Sequence, residues 1–205
     1  MANQQWVSLI NGGSTRATGA GTNLVTSAST ATISPTQAGA LTADVATVNP
    51  DGQPLGWYPG LLIRVTARGW WSAGATTSNA SWLLRVNKGN NNSYQTLATT
   101  TPLTLGTTVT LNQWFLDATI RCSAVSQTVG TCLTQGELRT TIANPANPQT
   151  LTTAQALILP MPNTNGETSL ATVDTSQISG IGLAATLSAA FGTIACTQWL
   201  VEALD

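Results

Sequence analysis

Few side chains of this 205-residue chain are suited to proton transfer, and none of them is a histidine. Histidine is the usual group for this chemistry because its unperturbed pKa lies near neutral pH. A Ser-His-Asp or Cys-His arrangement is therefore excluded. The remaining acid–base candidates are eight carboxylates, Asp44, Asp51, Asp117, Glu137, Glu167, Asp174, Glu202 and Asp205.

Two of these carboxylates, Asp117 and Glu137, have outward parity on two predicted neighbouring strands. A carboxylate pair can hydrolyse glycosidic bonds when it flanks a cleft. However, Arg121 and Arg139 are close by, and opposite charges on adjacent strands are ordinary features of a sheet surface. We expect surface charges rather than a catalytic pair, and we expect that the chain is not an enzyme.

The three cysteines are candidate metal ligands and disulfide partners. Cys122 and Cys132 are too far apart for a Cys-x-x-Cys knuckle, and no second pair follows them. The loops at residues 51–53 and 163–167 carry too few acids for a calcium site. Residues 179–182 lack the third glycine and the helix of a dinucleotide fingerprint. We therefore expect no metal and no cofactor.

The pairing of Cys122 with Cys132 depends on the register of a predicted hairpin. Direct pairing of these cysteines also places Asp117 opposite Glu137, and facing like charges destabilise a sheet. A register shifted by two residues brings Asp117 opposite Arg139 instead. We predict free thiols, unless a bulge changes the register, and we expect Cys122 and Cys196 to be small core residues.

The elements that position these residues are short strands with alternating apolar side chains. The clearest spans residues 61–71; others span 81–87, 113–122, 134–142, 151–160, 178–188 and 193–204. The segment 189–192 is short enough to join the last two strands as a hairpin. Residues 183–190 favour helix by composition, but Gly180 and Gly182 just before them favour a strand. The whole pattern predicts an all-β fold of about eight to ten antiparallel strands.

The N-terminal residues 1–22 are predicted to form an arm and linker, and residues 23–205 one β-sandwich domain. The arm carries an apolar segment with Trp6, Val7, Leu9 and Ile10, followed by a linker rich in Gly and Thr. This segment either docks on a neighbouring protein or forms the first strand of the sandwich.

The composition bounds the partners of the chain. Only 7% of the residues are charged, against about 25% in an average soluble domain, and the formal net charge is −1. One lysine and six scattered arginines do not make a nucleic-acid surface. Near-neutrality favours association. With no signal peptide and no apolar run of ~18 residues, we expect synthesis in a cytoplasm and no membrane partner.

The seven tryptophans give the strongest positive signal. Trp71, Trp82 and Trp114 have inward parity and are predicted to lie in the core. The outward residues Leu62, Trp70 and Phe115 predict a subunit or partner contact surface, because exposed apolar groups on a charge-poor chain mark interaction sites. Such aromatic side chains could instead stack on sugar rings.

Four segments carry a resemblance to the jelly-roll capsid decoration (cement) proteins of tailed bacteriophages: GLLIRVTARGWW, SWLLRVNKG, QWFLDATIRC and the final 28 residues, from ISGIG to LVEALD. The resemblance covers roughly residues 55–205 and is one of texture rather than of a diagnostic motif. It implies a jelly-roll β-sandwich with an extended N-terminal arm.

The resemblance also implies a function. The chain would be a homotrimer on the outer surface of a phage virion, made in the host cytoplasm, with the major capsid protein as its partner. Trp6, Val7, Leu9 and Ile10 would then dock on the capsid. The alternative is a tail-fibre or spike domain that binds host glycans.

Overall fold

The computed structural model describes residues 6–8, 22–26, 41–44, 57–72, 78–87, 94–105, 112–126, 129–142, 155–162, 171–174, 180–187 and 193–204. These residues form thirteen strands and no helix, so no described helix is long and apolar enough to cross a membrane. The strands are β1 Trp6–Ser8, β2 Thr22–Thr26, β3 Leu41–Asp44, β4 Leu62–Ser72, β5 Ser78–Asn87, β6 Tyr94–Thr99, β7 Leu103–Leu105, β8 Asn112–Ser126, β9 Val129–Ile142, β10 Gln155–Met161, β11 Ala171–Asp174, β12 Gly180–Leu187 and β13 Thr193–Leu204.

The strands form two antiparallel sheets. The larger, eight-stranded sheet has the order β1-β13-β4-β8-β9-β10, with β2 on the same edge of β13 as β1 and with β11 on β9. The smaller, five-stranded sheet has the order β3-β12-β5-β6, with β7 also on β5. The described strands pair from the chain ends inward: β2 with β13, β3 with β12, β4 with β8 and β5 with β6.

This pairing is that of a jelly roll, in which a long folded hairpin wraps into two facing sheets. One sheet contains β2-β13-β4-β8 and the other β3-β12-β5-β6, while β9 and β10 extend the larger sheet beyond β8. The predicted all-β antiparallel sandwich of jelly-roll type is therefore confirmed.

The core lies between the sheets and follows the period of two along each strand. In β4 the buried positions alternate with partly or fully exposed ones over its whole length. Trp71, Trp82 and Trp114 are all buried, as predicted, and the Trp82 and Trp114 rings pack with their centroids 6.1 Å apart. Each large apolar side chain removed from water in this way stabilises the fold by roughly 2 kcal/mol.

The predicted hairpin between the last two strands is wrong. Strand β12 lies in the smaller sheet beside β5, and β13 lies in the larger sheet beside β4. A short connection does not distinguish a hairpin from a crossing, because packed sheets are only about 10 Å apart and a few residues span that distance. The preference for strand over helix in this region is confirmed for Leu183–Leu187.

The N-terminal segment contributes an edge strand to the larger sheet. In strand β1, Trp6 pairs with Leu204 and Val7 with Ala203. Of the two interpretations of the segment, this placement corresponds to the first strand of the sandwich. Leu9 and Ile10 lie outside the described residues, and docking of the segment on a partner stays a prediction.

Candidate contact surface on the larger sheet

The outer face of the larger sheet is formed by the outward side chains of β13, β4, β8, β9 and β10. Along β4 the outward residues are Leu62, Arg64, Thr66, Arg68 and Trp70, each partly or fully exposed. The corresponding face of the smaller sheet is less accessible, since the outward residues Arg85 and Ala184 are buried. Among the described residues, the broad accessible sheet surface is therefore the outer face of the larger sheet.

A row of five side chains crosses this outer face from strand to strand. The pairing register places Gln198, Arg68, Phe115, Arg139 and Ile158 next to one another on β13, β4, β8, β9 and β10. We call this set the Phe115 row. The Arg68 guanidinium carbon lies 5.2 Å from the Phe115 ring centroid, a cation–π contact of about 0.5–1 kcal/mol at an exposed site. Ile158 is 58% exposed and ends the row.

A bulge in β13 holds the backbone beneath Arg68. The pairing of β13 with β4 shifts register between Cys196 and Gln198. The carbonyl oxygen of Arg68 accepts hydrogen bonds from the Cys196 thiol at 3.4 Å and from the Thr197 hydroxyl at 3.2 Å. The same thiol contacts the Gln198 carbonyl oxygen at 3.1 Å. Bulges increase the local twist and re-aim side chains, which here sets the position of Arg68 relative to its neighbours.

The next residue, Gly69, makes room for a core tryptophan. The Trp114 indole crosses beneath β4, and its N–H lies 3.2 Å from the Ala195 carbonyl oxygen and 3.3 Å from that of Trp70. A Cβ at Gly69 would overlap the Ala195 carbonyl oxygen and lie 2.6 Å from the Trp114 ring. This buried indole therefore fixes the backbone of Trp70, whose side chain lies on the outer face.

Beside the Phe115 row lies a shallow depression lined by Leu62, Arg64, Asp117, Thr119, Gln135, Gly136 and Glu137. Arg64 donates two hydrogen bonds to Asp117, at 2.8 and 3.2 Å. These bonds, together with the charge of Asp117, raise the pKa of the Arg64 guanidinium. Arg139 pairs with Glu137 two residues before it on the same strand. The depression is therefore charged but internally compensated.

The register predicted for β8 and β9 is wrong, because Asp117 lies directly opposite Glu137 and Cys122 opposite Cys132. The expected repulsion is offset by two arginines. Arg64 binds Asp117 from β4, the neighbour of β8 on the side opposite β9. The sequence had instead indicated Arg121 as the cation near Asp117. Although the register differs, the three cysteines are free thiols and all are buried.

The three residues predicted to make contacts all lie partly exposed on the outer face. Trp70 is diagonal to Phe115, within reach of large side chains. Leu62 lies opposite Arg121, six residues along β8 from Phe115, or about 20 Å at 3.3 Å per residue. Leu62 also pairs with Leu204, which pairs with Trp6 of β1, so strand β1 borders this distant end of the face.

The sequence prediction missed Arg68, Arg139 and Ile158 as members of the surface. Ile158 stands in an unbroken apolar run, ALIL, where alternation does not separate the two faces. The parity of Arg68 was visible, but its contact with Phe115 depends on the β4–β8 register. Neither Arg68 nor Arg121 forms an ion pair with any described residue.

Comparisons of the chain with protein-family models, with curated proteins and with solved structures find no match. Over the part of the chain that the structure describes, no three cysteine or carboxylate side chains converge as a metal site would require.

Proposed function

We propose that this chain is a non-enzymatic virion structural protein, a capsid decoration protein that binds the outer surface of a phage capsid and stabilises it. The observation that carries the proposal is the Phe115 row together with Trp70, an accessible aromatic and arginine surface on a jelly-roll sheet. A protein that binds only the assembled shell stabilises it by mass action, by about 2.7 kcal/mol per site at a concentration of 100 Kd.

The residue types of this surface support a protein partner. Tryptophan and arginine are enriched among interface residues whose truncation weakens binding most. Ile158 adds an exposed apolar group beside Arg139, while the Arg68 guanidinium can donate hydrogen bonds to a carboxylate or carbonyl oxygen of the partner. The symmetry of a shell favours a homotrimer, because a threefold axis repeats one contact at identical positions.

Two features argue against the other functions. A sugar ring stacks on an open aromatic face, whereas the Phe115 ring is half-buried and already contacts the Arg68 guanidinium. A glycosidase needs one protonated and one ionised carboxyl group in a cleft. Asp117 and Glu137 instead lie on an open sheet surface, and each is bound to its own arginine.

The test is sedimentation of the purified chain with capsids of its virus that lack it, with the solution mass of the chain measured in parallel. We expect Ile158→Asp to weaken capsid binding at least tenfold. The matched control is Val129→Asp, since Val129 is also β-branched and is 44% exposed, but lies at the end of the β8–β9 hairpin. Equal capsid binding by the two variants would show that the outer face is not part of the interface.

A wild-type chain that does not sediment with the capsids would overturn the proposal. A glycan array with the same protein tests the receptor-binding alternative. In that case Trp70→Ala should abolish the array signal, whereas the decoration function predicts no signal from either protein. The docking segment is tested separately by Trp6→Ala and Ile10→Ala, which should weaken capsid binding if the segment contacts the shell.

A further inference from the structure

We infer that Cys122 and Cys132 form a latent disulfide site, which a small-molecule disulfide such as oxidised glutathione closes across the β8–β9 hairpin. The two residues are direct partners in the antiparallel register, both are fully buried, and both are free thiols. The inference is independent of the capsid proposal.

The backbone geometry suits a disulfide without rearrangement. Directly opposite residues of an antiparallel pair have Cα atoms about 4.5 or 5.5 Å apart, depending on their position in the ladder. Both values fall inside the range of about 4.4–6.8 Å that disulfides adopt. The two thiols are close enough for each to influence the pKa of the other. Closure therefore requires the loss of the two thiol hydrogens, the loss of the Cys122 thiol's hydrogen bond to the Ala124 carbonyl oxygen, and side-chain rotation that brings the two sulfur atoms to about 2.05 Å from each other.

Both cysteine backbones are held in place by their other neighbours. The backbone N–H of Cys122 donates a hydrogen bond to the Leu61 carbonyl oxygen at 2.8 Å. The backbone carbonyl oxygen of Cys122 accepts one from the Gly60 N–H at 2.9 Å. Cys132 pairs with Ala171 of β11 on its other side. Such preorganisation lowers the conformational entropy lost when the two sulfur atoms are joined.

An oxidant can reach the site through the end of the hairpin. Beyond the cysteine pair and the adjacent bulge, only three further pairs join the strands, ending at Ser126 and Val129. Opening these terminal pairs is a local fluctuation that does not require global unfolding. Ser126 and Val129 are both exposed, whereas Cys122 and Cys132 are buried. Each buried cysteine is therefore only three or four residues along its strand from the exposed end of the hairpin.

The chemistry is two successive thiol–disulfide exchanges. A thiolate of the pair attacks one sulfur of oxidised glutathione, and one glutathione leaves as the thiolate and takes up a proton. The second cysteine then attacks the protein sulfur of the mixed disulfide, forms the Cys122–Cys132 bond and releases the second glutathione. Burial raises the pKa of both cysteines, so the reaction should be slow at neutral pH and faster as the pH rises.

The test treats the folded full-length chain with oxidised glutathione at mildly alkaline pH, then alkylates it in denaturant and digests it with trypsin. Cleavage after Arg121 and Arg139 yields one peptide, residues 122–139, that holds both cysteines, while Cys196 falls in another. We expect the 122–139 peptide to carry no alkyl group and to be two hydrogen atoms lighter than its reduced form. The peptide with Cys196 should carry one alkyl group.

Variants separate this site from general thiol oxidation. Cys196→Ser should oxidise as the wild type does, because Cys196 is far from the pair. Cys196 lies opposite Gly69, which lies opposite Trp114 of β8. Trp114 is eight residues from Cys122 along this strand, a separation of about 26 Å. Cys122→Ser and Cys132→Ser should each leave one cysteine that alkylates fully. Oxidised wild type should melt roughly 5 °C or more above the reduced form.

Three results would each overturn the inference. One is a 122–139 peptide that still carries two alkyl groups after prolonged oxidation. Another is a stable glutathione adduct on that peptide. The third is a disulfide that links two chains, since the proposed bond closes within one hairpin.

Discussion

Two described glycines of this chain are required for different reasons. Gly69 leaves space for the Trp114 indole and the Ala195 carbonyl oxygen, both of which a Cβ would overlap. Gly60 has open space around it, but its φ of +96° is a backbone conformation that other residues rarely adopt. One position is limited by packing and the other by backbone conformation.

Alanine at each glycine should therefore have a distinct effect. We expect Gly69→Ala to lower the free energy of unfolding by roughly 3 kcal/mol, because overlap with a buried ring and a backbone carbonyl forces the strands apart. Gly60→Ala should lower it by roughly 1 kcal/mol, the usual strain of a left-handed alanine. Urea denaturation of the two variants measures both values. A smaller loss for Gly69→Ala than for Gly60→Ala would contradict the packing argument.

At the scale of the strands, the pairing of β8 with β9 places two carboxylates opposite each other, and each of them forms an ion pair with an arginine. Asp117 and Glu137 are direct partners, and Arg64 binds Asp117 from β4. Both members of the Arg64–Asp117 pair are partly exposed, with 44% and 31% of their side chains accessible. Exposed pairs of this kind contribute about 0–1 kcal/mol.

A double-mutant cycle should reveal a change of sign. Asp117→Asn in the wild type should be neutral or destabilising by about 0.5 kcal/mol, because it weakens the pair with Arg64. In an Arg64→Ala background the Asp117 carboxylate faces Glu137 and has lost its own arginine. The same change should then be stabilising, because it removes the repulsion between the two carboxylates. Thermal unfolding at low and high salt measures the four free energies, and the coupling should shrink as salt is added. A destabilising Asp117→Asn change in both backgrounds would refute this account of the register.

The positions of the long strands could be predicted from the sequence, but the pairings between strands could not. The alternation in residues 61–71 and 113–122 is a local property, and β4 and β8 formed where it occurs. The β8–β9 register was mispredicted because the cation that offsets Asp117 comes from Arg64, 53 residues earlier in the chain. Strands β6 and β7 were not identified, since YQTLAT and LTL are short and lack a long alternating pattern.

The outer face was partly predictable for the same reason. Parity alone placed Leu62, Trp70 and Phe115 outward, but parity does not state which outward residues are neighbours. Arg68 meets Phe115 because of the β4–β8 register, and Arg139 borders Ile158 because of the β9–β10 register. A surface of this kind is a product of topology, whereas each strand that contributes to it is a product of local sequence.

At the scale of the whole molecule, the jelly-roll order brings both ends of the described chain into one sheet. β13 pairs with β1 and β2 on one side and with β4 on the other, so Cys196 of β13 lies inside the sheet. Its burial raises the pKa of the thiol from 9.0 to about 12. The titration of this one group is therefore coupled to global unfolding.

The sign of this coupling makes the fold sensitive to alkaline pH. Below pH 9 the Cys196 thiol is protonated in both the folded and the unfolded chain, so it adds no pH dependence. Between pH 9 and about 12 the unfolded chain releases the proton while the folded chain retains it, so stability falls as the pH rises. The loss should approach about 1.4 kcal/mol for each pH unit.

Denaturation with urea at pH 8 and pH 10.5, in the presence of a reductant, measures this dependence. Cys196→Ala removes the titrating group and keeps a small apolar side chain, so the variant should lose less stability than the wild type between the two pH values. The expected difference is on the order of 2 kcal/mol, because the interval covers more than one pH unit above the unfolded pKa. The tyrosines and the other cysteines titrate in both proteins and cancel in the comparison. If wild type and variant lose equal stability, then folding does not raise the pKa of Cys196, and the argument from its burial is wrong.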